Sequence, residues 1–304
     1  RSRGLGDVYK RQDIVSGLCS AARDGGCHAQ LIHNCLDNSM EGVIIPEKNA
    51  GVINFPLYGE EEYPVAAILN DDNLSQTRAC LTGAARHFSA ARAIHDKWEQ
   101  IYVSNMDFDA ANRLTARTIE KVIGEKTLEK KGTQVHRYFG ASTVNGAYDY
   151  IDNLTEDLEK RYFIKGRPGT GKSTFLGKIA EYAAAAGFDT EIYHCAFDPN
   201  SLDMVILREL SVALFDSTSP HEYFPSRPDD EAIDIYKVAV AEKTDEKYRT
   251  EITAVMVDYK AEIAKAAKQL ARAKRYYDEV QKGMISKISA EAFGAAEKLS
   301  LIHI

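Results

Sequence analysis

The hydrophobic pattern of this chain changes period several times, and each change marks an element. Short β-prone apolar runs stand at Tyr162–Lys165, Thr190–Cys195 and Val212–Phe215. They have the length of buried strands rather than of helices. Earlier in the chain, Ala29–Asn34 and Gly51–Asn54 read as strands, with Gly42–Ile45 a short third, and Val135–Ala141 is strand-like. Helical spacing takes over at Leu81, Ala84, Phe88, Ala91, Trp98 and Tyr102, which fall on one face of a helix over 81–102. A second helix is predicted from Asp109 to about Ile123, with Asp107 or Asp109 as N-cap, and the two together predict a helical hairpin. Shorter helices are predicted over Ile14–Arg23, Thr155–Lys160 and Phe175–Ala186; Asp198–Asp203 and Ser219–Asp230 read as loops. The longest pattern joins Ile252, Met256, Tyr259, Ile263, Ala266, Leu270, Ala273, Tyr277, Val280 and Met284 in alternating steps of four and three. That seam of period 3.5 predicts one helix over about Asp245–Lys282, on the order of 55 Å long.

The pattern also repeats. Leu31-Ile32-His33 matches Ile192-Tyr193-His194, and Asp37 matches Asp198, at a spacing of 161. After one inserted residue the spacing is 162, pairing Ser39 with Ser201, Val43-Ile44 with Val205-Ile206, Glu47 with Glu209 and Val52-Ile53-Asn54 with Leu214-Phe215-Asp216. A duplicated chain is therefore expected, with repeats over 13–134 and 135–298.

Candidate chemistry centres on Gly166-Arg167-Pro168-Gly169-Thr170-Gly171-Lys172-Ser173-Thr174, which fills every fixed position of the G-x-x-x-x-G-K-[ST] phosphate loop. The context fits: a strand before it and a helix after it. Turn glycines let successive backbone N–H groups face an anion, and the helix N-terminus adds partial positive charge there. Lys172 is expected on the β- and γ-phosphates, Ser173 on Mg²⁺, and Thr174 within reach of a phosphate. Asp216 ends an apolar strand-like run, the place from which an acid holds the metal in such proteins. Its counterpart Asn54 lacks the charge. Counted back through the repeat, the Gly171–Ser173 positions fall on residues 10–12, so the first repeat is expected to lack its phosphate loop.

Ser217, not Glu, follows Asp216, which removes the simplest scheme for orienting an attacking water. Asp198, Asp203 and Glu209 are other candidate bases, and His194 a further catalytic candidate. Arg167, Arg208 and Arg227, with Lys268, Arg272, Lys274 and Arg275 of the long helix, are candidate phosphoryl-stabilising cations. The blander alternatives are solvated loop acids, a satisfied strand-end histidine and the solvated face of an exposed helix, which is what a charge run on a helix usually is.

Composition narrows the classes. Net charge is −7 at pH 7, so no global basic field favours nucleic acid or an anionic membrane. No apolar run approaches the roughly 20 residues of a membrane span. Five scattered cysteines without a C-x-x-C pair fit reduced thiols and a cytoplasmic location. Residues 1–12 and 299–304 resemble translated adaptor sequence and are expected to lie outside the fold.

Taken together, the segments Ile164–Thr174, Tyr193-His194-Cys195 with Asp198-Pro199 and Ser201-Leu202-Asp203, and Val212–Asp216 with Ser219-Pro220-His221 resemble a bacterial family of duplicated phosphate-loop ATP-binding proteins. The resemblance implies an α/β fold of the phosphate-loop NTPase type, with a mostly parallel sheet, duplicated, carrying long helical-hairpin insertions. It implies ATP and Mg²⁺ as ligands; proteins of this kind are labelled ATPase or nucleotide kinase-like, so the resemblance names no single reaction, and ATP hydrolysis is the activity expected first. A small-molecule or nucleotide kinase, or a non-hydrolysing nucleotide sensor that recruits a protein partner or self-associates through its long helices, fits the same residues.

Overall fold

A computed structural model describes residues 5–53, 72–219 and 222–285. In chain order the elements are α1 (Leu5–Asp24), β1 (Gln30–His33), β2 (Met40–Ile45), β3 (Ala50–Ile53), α2 (Asp72–Val103), α3 (Phe108–Val122), β4 (Gln134–Tyr138), β5 (Gly140–Thr143), β6 (Gly146–Asp149), α4 (Ile151–Leu154), β7 (Lys160–Lys165), α5 (Lys172–Ala185), β8 (Thr190–His194), β9 (Leu202–Leu207), β10 (Val212–Asp216), β11 (Glu231–Asp234), α6 (Ile235–Ala239), α7 (Thr244–Lys247) and α8 (Arg249–Ile285). They form two compact units. One gathers the described parts of Arg1–Ala85, Thr143–Gly146 and Ala267–Ile304, the other Arg86–Ser142 and Ala147–Ala266.

The second unit is built on a six-stranded sheet in the order β11-β7-β10-β9-β8-β4. β7 pairs in parallel with β10 and with β11, and β8 with β4. β9 runs antiparallel to both of its neighbours, so the sheet is mixed. Alternate residues face opposite sides. Tyr162, Ile164, Ile192, Val205, Leu207 and Leu214 meet Phe175, Leu176, Ile179 and Ala183 of α5. Phe163, Tyr193, Met204, Ile206, Ala213 and Phe215 pack with Phe139, Ile151 and Leu158 on the other side. Both faces are covered, which is why these strands read as continuous apolar runs rather than alternating ones.

Three local expectations change. The polar loop expected over Asp198–Asp203 ends early, because Leu202 already opens β9 and Met204–Leu207 are fully buried. A 3-10 turn at Arg208–Leu210, closed by Ser211 in the left-handed region, folds β9 back onto β10. The short helix expected over Thr155–Lys160 lies earlier, at α4: the Thr155 hydroxyl donates to the Ile151 carbonyl and ends it, and Lys160 already belongs to β7. Finally, α3 packs against α5 and α6. Its face carrying Leu114, Ile119 and Val122 joins the α5 cluster, while α2 meets α8 through His87–Glu262 and Trp98–Tyr259. Asp107 caps α3, accepting from the Ala110 N–H at 2.9 Å.

In the first unit, α1 lays Val15, Leu18 and Ala22 on Val43 and Ile45 of a three-stranded antiparallel sheet, β1-β2-β3. Its hydrogen-bond register repeats that of β8-β9-β10. Gln30↔Ile44, Leu31↔Val43, Ile32↔Gly42 and His33↔Met40 correspond one by one to Glu191↔Ile206, Ile192↔Val205, Tyr193↔Met204 and His194↔Leu202, with the irregularity at the same step. Gly42↔Ile53 through Ile45↔Ala50 correspond to Met204↔Phe215 through Leu207↔Val212. A 3-10 turn joins the second and third strands in both, closed by left-handed Asn49 in one and Ser211 in the other. Asn54 and the pair Pro220-His221 lie outside the described residues, as do the side chains of 5–14 and the positions 299–304.

Candidate functional site

β7 ends at Lys165 and α5 begins at Lys172, so Gly166–Gly171 forms a tight connection at the C-terminal end of a central strand. Two of its glycines are required by conformation, Gly169 at φ 74° and Gly171 at φ 81°. Gly166 is required by space, since a Cβ there would stand 2.4 Å from the Thr170 hydroxyl. That hydroxyl, buried, donates to the Arg167 carbonyl at 2.8 Å, and the Arg167 N–H approaches it at 3.2 Å. Pro168 and Thr170 thus sit inside a small self-bonded turn. Gly171 is the N-cap of α5 and offers no side chain to the N–H groups of the first helical turn.

The candidate residues come together around this turn. Lys172 Nζ donates to the Arg167 carbonyl at 2.9 Å and lies 3.5 Å from Asp216 Oδ2. Asp216 ends β10, directly beside Ile164 of β7 in the parallel register. Its Oδ1 accepts from the Thr218 N–H at 3.0 Å and the Thr218 hydroxyl at 2.6 Å, which fixes the carboxylate. The Ser173 hydroxyl accepts from the Leu202 N–H at 2.8 Å, and Thr174 is exposed on the first turn of α5. Arg167 turns away from the connection: its guanidinium pairs with Asp245 at 3.0 Å and lies over the Tyr236 ring. Asp245 also accepts from the Tyr102 hydroxyl at 2.9 Å; burial, then Asp245, pushes that phenol up to about 12.

Other expected participants lie elsewhere. Because β9 runs against the rest of the sheet, the turn after it lies at the edge where β7 and β10 begin, opposite the glycine-rich connection. Glu209 there pairs with Lys130 at 2.6 Å and accepts the Asp189 N–H. Arg208 bonds Glu191, and Arg227 donates to the carbonyls of Thr155, Glu156 and Leu158. None of the three is placed to serve the candidate site. Asp203 is buried in β9, where its charge helps raise the Cys195 thiol, itself pushed up chiefly by burial to about 12. Ser217 is structural: its hydroxyl donates to the Tyr223 carbonyl and its own carbonyl accepts from Lys165. Lys274 is tied to Asp37 and Asp278. His194 sits at the C-terminal end of β8, with Nδ1 on the Pro199 carbonyl at 2.6 Å and Nε2 against His136 Nδ1 at 2.8 Å. His33 holds the Asn38 carbonyl in the corresponding way.

The site also contains residues that sequence reasoning passed over. His95, Asp96 and Glu99 of α2 bring their ligand atoms within 4.8 Å of one another. Asp198 is close by, paired with Arg92 of the same helix at 2.8 Å. Burial chiefly lowers the His95 pKa, and the Lys172 charge lowers it further. Burial chiefly raises that of Glu99, opposed by Lys172 and the Gly169 N–H. His95 sits among Trp98, Phe197 and Tyr259 with ring centres 5.8–5.9 Å away. The only signal was that 95 and 99 flank Trp98 on the face already marked by Ala91 and Tyr102.

No protein-family model, curated protein or solved structure matches this chain. Among the described residues, no helix is long and apolar enough to cross a membrane.

Proposed function

We propose that the second unit binds a nucleoside triphosphate, with ATP as the expected one, and Mg²⁺ through Gly166–Thr174, and that it hydrolyses the terminal phosphate. The observation that carries this reading is the head of α5: an N-cap without a side chain, a preceding turn with two left-handed glycines, and Lys172 and Asp216 converging on the same point. Uncapped first-turn N–H groups and a lysine together make an anion site, and polyphosphate is the anion that a turn of this spacing fits. The residues also suit the metal. The Ser173 oxygen, accepting one hydrogen bond, retains a lone pair, and Asp216 has Oδ1 fixed by Thr218, which leaves Oδ2 toward Lys172. Hard oxygen donors of this kind are what Mg²⁺ takes. When bound, the metal neutralises phosphate charge; positioning is the chain's contribution.

The matching registers of the two antiparallel three-stranded arrays support a duplicated chain, and the strand-turn-helix order supports a phosphate-loop NTPase fold of the resembled family. A kinase is the second reading. It is favoured by Ser217, which is consumed in holding Tyr223 and leaves no acid directly after Asp216 to orient water. Titration of a fluorescent ATP analogue with Mg²⁺, followed by phosphate release with and without candidate acceptors, tests both. Absence of nucleotide binding would sink the proposal, and release only in the presence of an acceptor would select the kinase.

A further inference from the structure

Three metal-ligating side chains of α2 converge on one spot. His95 and Glu99 are four apart in a helix, so they stand one above the other on the same face, and Asp96 is the next residue round. Their ligand atoms, one ring nitrogen and two carboxylate oxygens, all lie within 4.8 Å of one another. His95 Nδ1 and Glu99 Oε1 are 3.5 Å apart. Two donors that share one ion, each about 2.1 Å from it, stand roughly 3.0–3.5 Å apart, so this pair is already at chelating distance. Among the described residues, neither Asp96 nor Glu99 has a lysine or arginine partner at ion-pair distance. The neighbouring acid Asp198 differs: it is paired with Arg92 at 2.8 Å. The His95 ring is packed among Trp98, Phe197 and Tyr259. That packing limits its rotation, and so lowers the side-chain entropy that binding an ion would cost.

We propose that His95, Asp96 and Glu99 bind a divalent transition-metal ion of the Mn²⁺ to Zn²⁺ series, through residues other than the Ser173 and Asp216 pair suited to Mg²⁺. The donor set selects the ion. Mg²⁺ and Ca²⁺ take oxygen ligands, whereas imidazole suits Zn and Fe and carboxylate suits Mn; no sulfur is present for a soft ion. The charges balance, since two carboxylates neutralise a dication and a neutral imidazole adds none. Asp96 is exposed, so its carboxylate completes the set by side-chain rotation without disturbing packing. Three protein ligands leave at least one position open for water or an incoming oxygen. Lys172, whose charge reaches His95 and Glu99, is committed to the Arg167 carbonyl and to Asp216. It weakens the site without filling it, so micromolar rather than nanomolar binding is expected. The backbone of Glu99 lies against the glycine-rich turn, where a Cβ on Gly169 would stand 2.5 Å from the Glu99 carbonyl oxygen. The ion is therefore held beside that turn, yet its binding needs no nucleotide and the proposal stands without the nucleotide reading.

The test uses the untagged, chelator-treated chain without nucleotide, titrated with Co²⁺. Trp98 is the single tryptophan, and its ring centre lies 5.9 Å from that of His95, so a paramagnetic ion on His95 quenches its emission. In wild type the emission is expected to fall to a plateau with a Kd on the order of 10 µM. Zn²⁺ is expected to displace Co²⁺ and restore the emission, and an excess of Mg²⁺ is not. Asp96→Asn, Glu99→Gln and His95→Ala should each weaken Co²⁺ binding about tenfold or more, because a ligand matters at least as much as the groups that orient it. His95→Ala removes a packed ring and is checked by circular dichroism melts. Asp96→Asn exchanges one oxygen on an exposed side chain, so it decides even where His95→Ala loses stability. Asp216→Asn should quench as wild type does. Absence of saturable quenching overturns the proposal. Quenching that survives both Asp96→Asn and Glu99→Gln within about twofold also overturns it, as an adventitious ion only. Quenching lost in Asp216→Asn does so too, by placing the ion at the phosphate turn instead.

Discussion

β1-β2-β3 and β8-β9-β10 are hydrogen-bonded in the same register, with the same irregular step and a left-handed residue at the same place in the turn, Asn49 in one and Ser211 in the other. What surrounds them differs. The second array continues through β10 into β7, and β7 delivers the glycine-rich turn beside Asp216. Among the described residues, the first array has β1 and β3 as its outer strands. A backbone ladder is thus indifferent to chemistry. A site arises from what the neighbouring strand brings to the sheet edge, and from whether the residue at the end of the third strand is an acid.

The largest expected effect breaks the second array at its support. Arg161 of β7 is buried and pairs with Asp230 at 2.6 Å, with Asp230 side-chain exposure of 1%. Asp230→Ala leaves that guanidinium buried without its partner and should cost about 3–5 kcal/mol in urea unfolding. The Arg161 guanidinium, with the Ser226 and Arg227 N–H groups, holds the Asp230 carboxyl far below the usual range. A depressed carboxylate stabilises the fold above its ordinary value of about 4 and loses that contribution as pH falls below it. Asp230→Asn should therefore flatten the acid limb of a stability-against-pH curve, and an unchanged limb would contradict the assignment.

Next in size, Lys172→Ala should weaken nucleotide binding by at least about a hundredfold, the loss of a charge-assisted contact in a partly enclosed site. The melting of the first array should stay unchanged, so that the two regions separate cleanly. Asp216→Asn comes below it. It should raise the Mg²⁺ concentration needed for half-maximal nucleotide binding about tenfold, with less effect on metal-free affinity; equal losses would argue against a metal role. The smallest effect is expected at the turns that close the two arrays. Ser211 and Asn49 sit at φ 54° and 48°. Asparagine tolerates the left-handed region better than serine does, so Ser211→Gly should stabilise by about 0.5 kcal/mol and Asn49→Gly by close to nothing. Thermal melts of the two variants distinguish them, and the reverse order would show that the turns are not equivalent.

Much of this was legible in residue order. The strands at Thr190–His194 and Val212–Asp216 are covered on both faces, and full burial leaves a continuous apolar run. The turn at Gly166–Gly171 showed because the left-handed positions at 169 and 171 admit little but glycine. The likeness of the two three-stranded arrays showed through strand residues paired in the same register. β9 was partly hidden, because Asp203 places an acid inside a buried strand and read as loop. β11 was hidden by its length of four residues and its charged ends, Glu231 and Asp234.

The sequence alone determined the glycine-rich turn, the lysine and serine after it, and the period-3.5 seam, since each depends on neighbours within a few residues. Only the tertiary structure decided which side chains share that turn. The reversal of β9 carried Glu209, and Arg208 with it, to the far edge of the sheet. The parallel pairing of β7 with β10 brought Asp216 within 3.5 Å of Lys172. The passage of α2 over Gly169 brought the backbone of Glu99, some seventy positions earlier, against the turn. Contacts of such long separation depend on strand direction and helix path, which no local pattern of residues encodes.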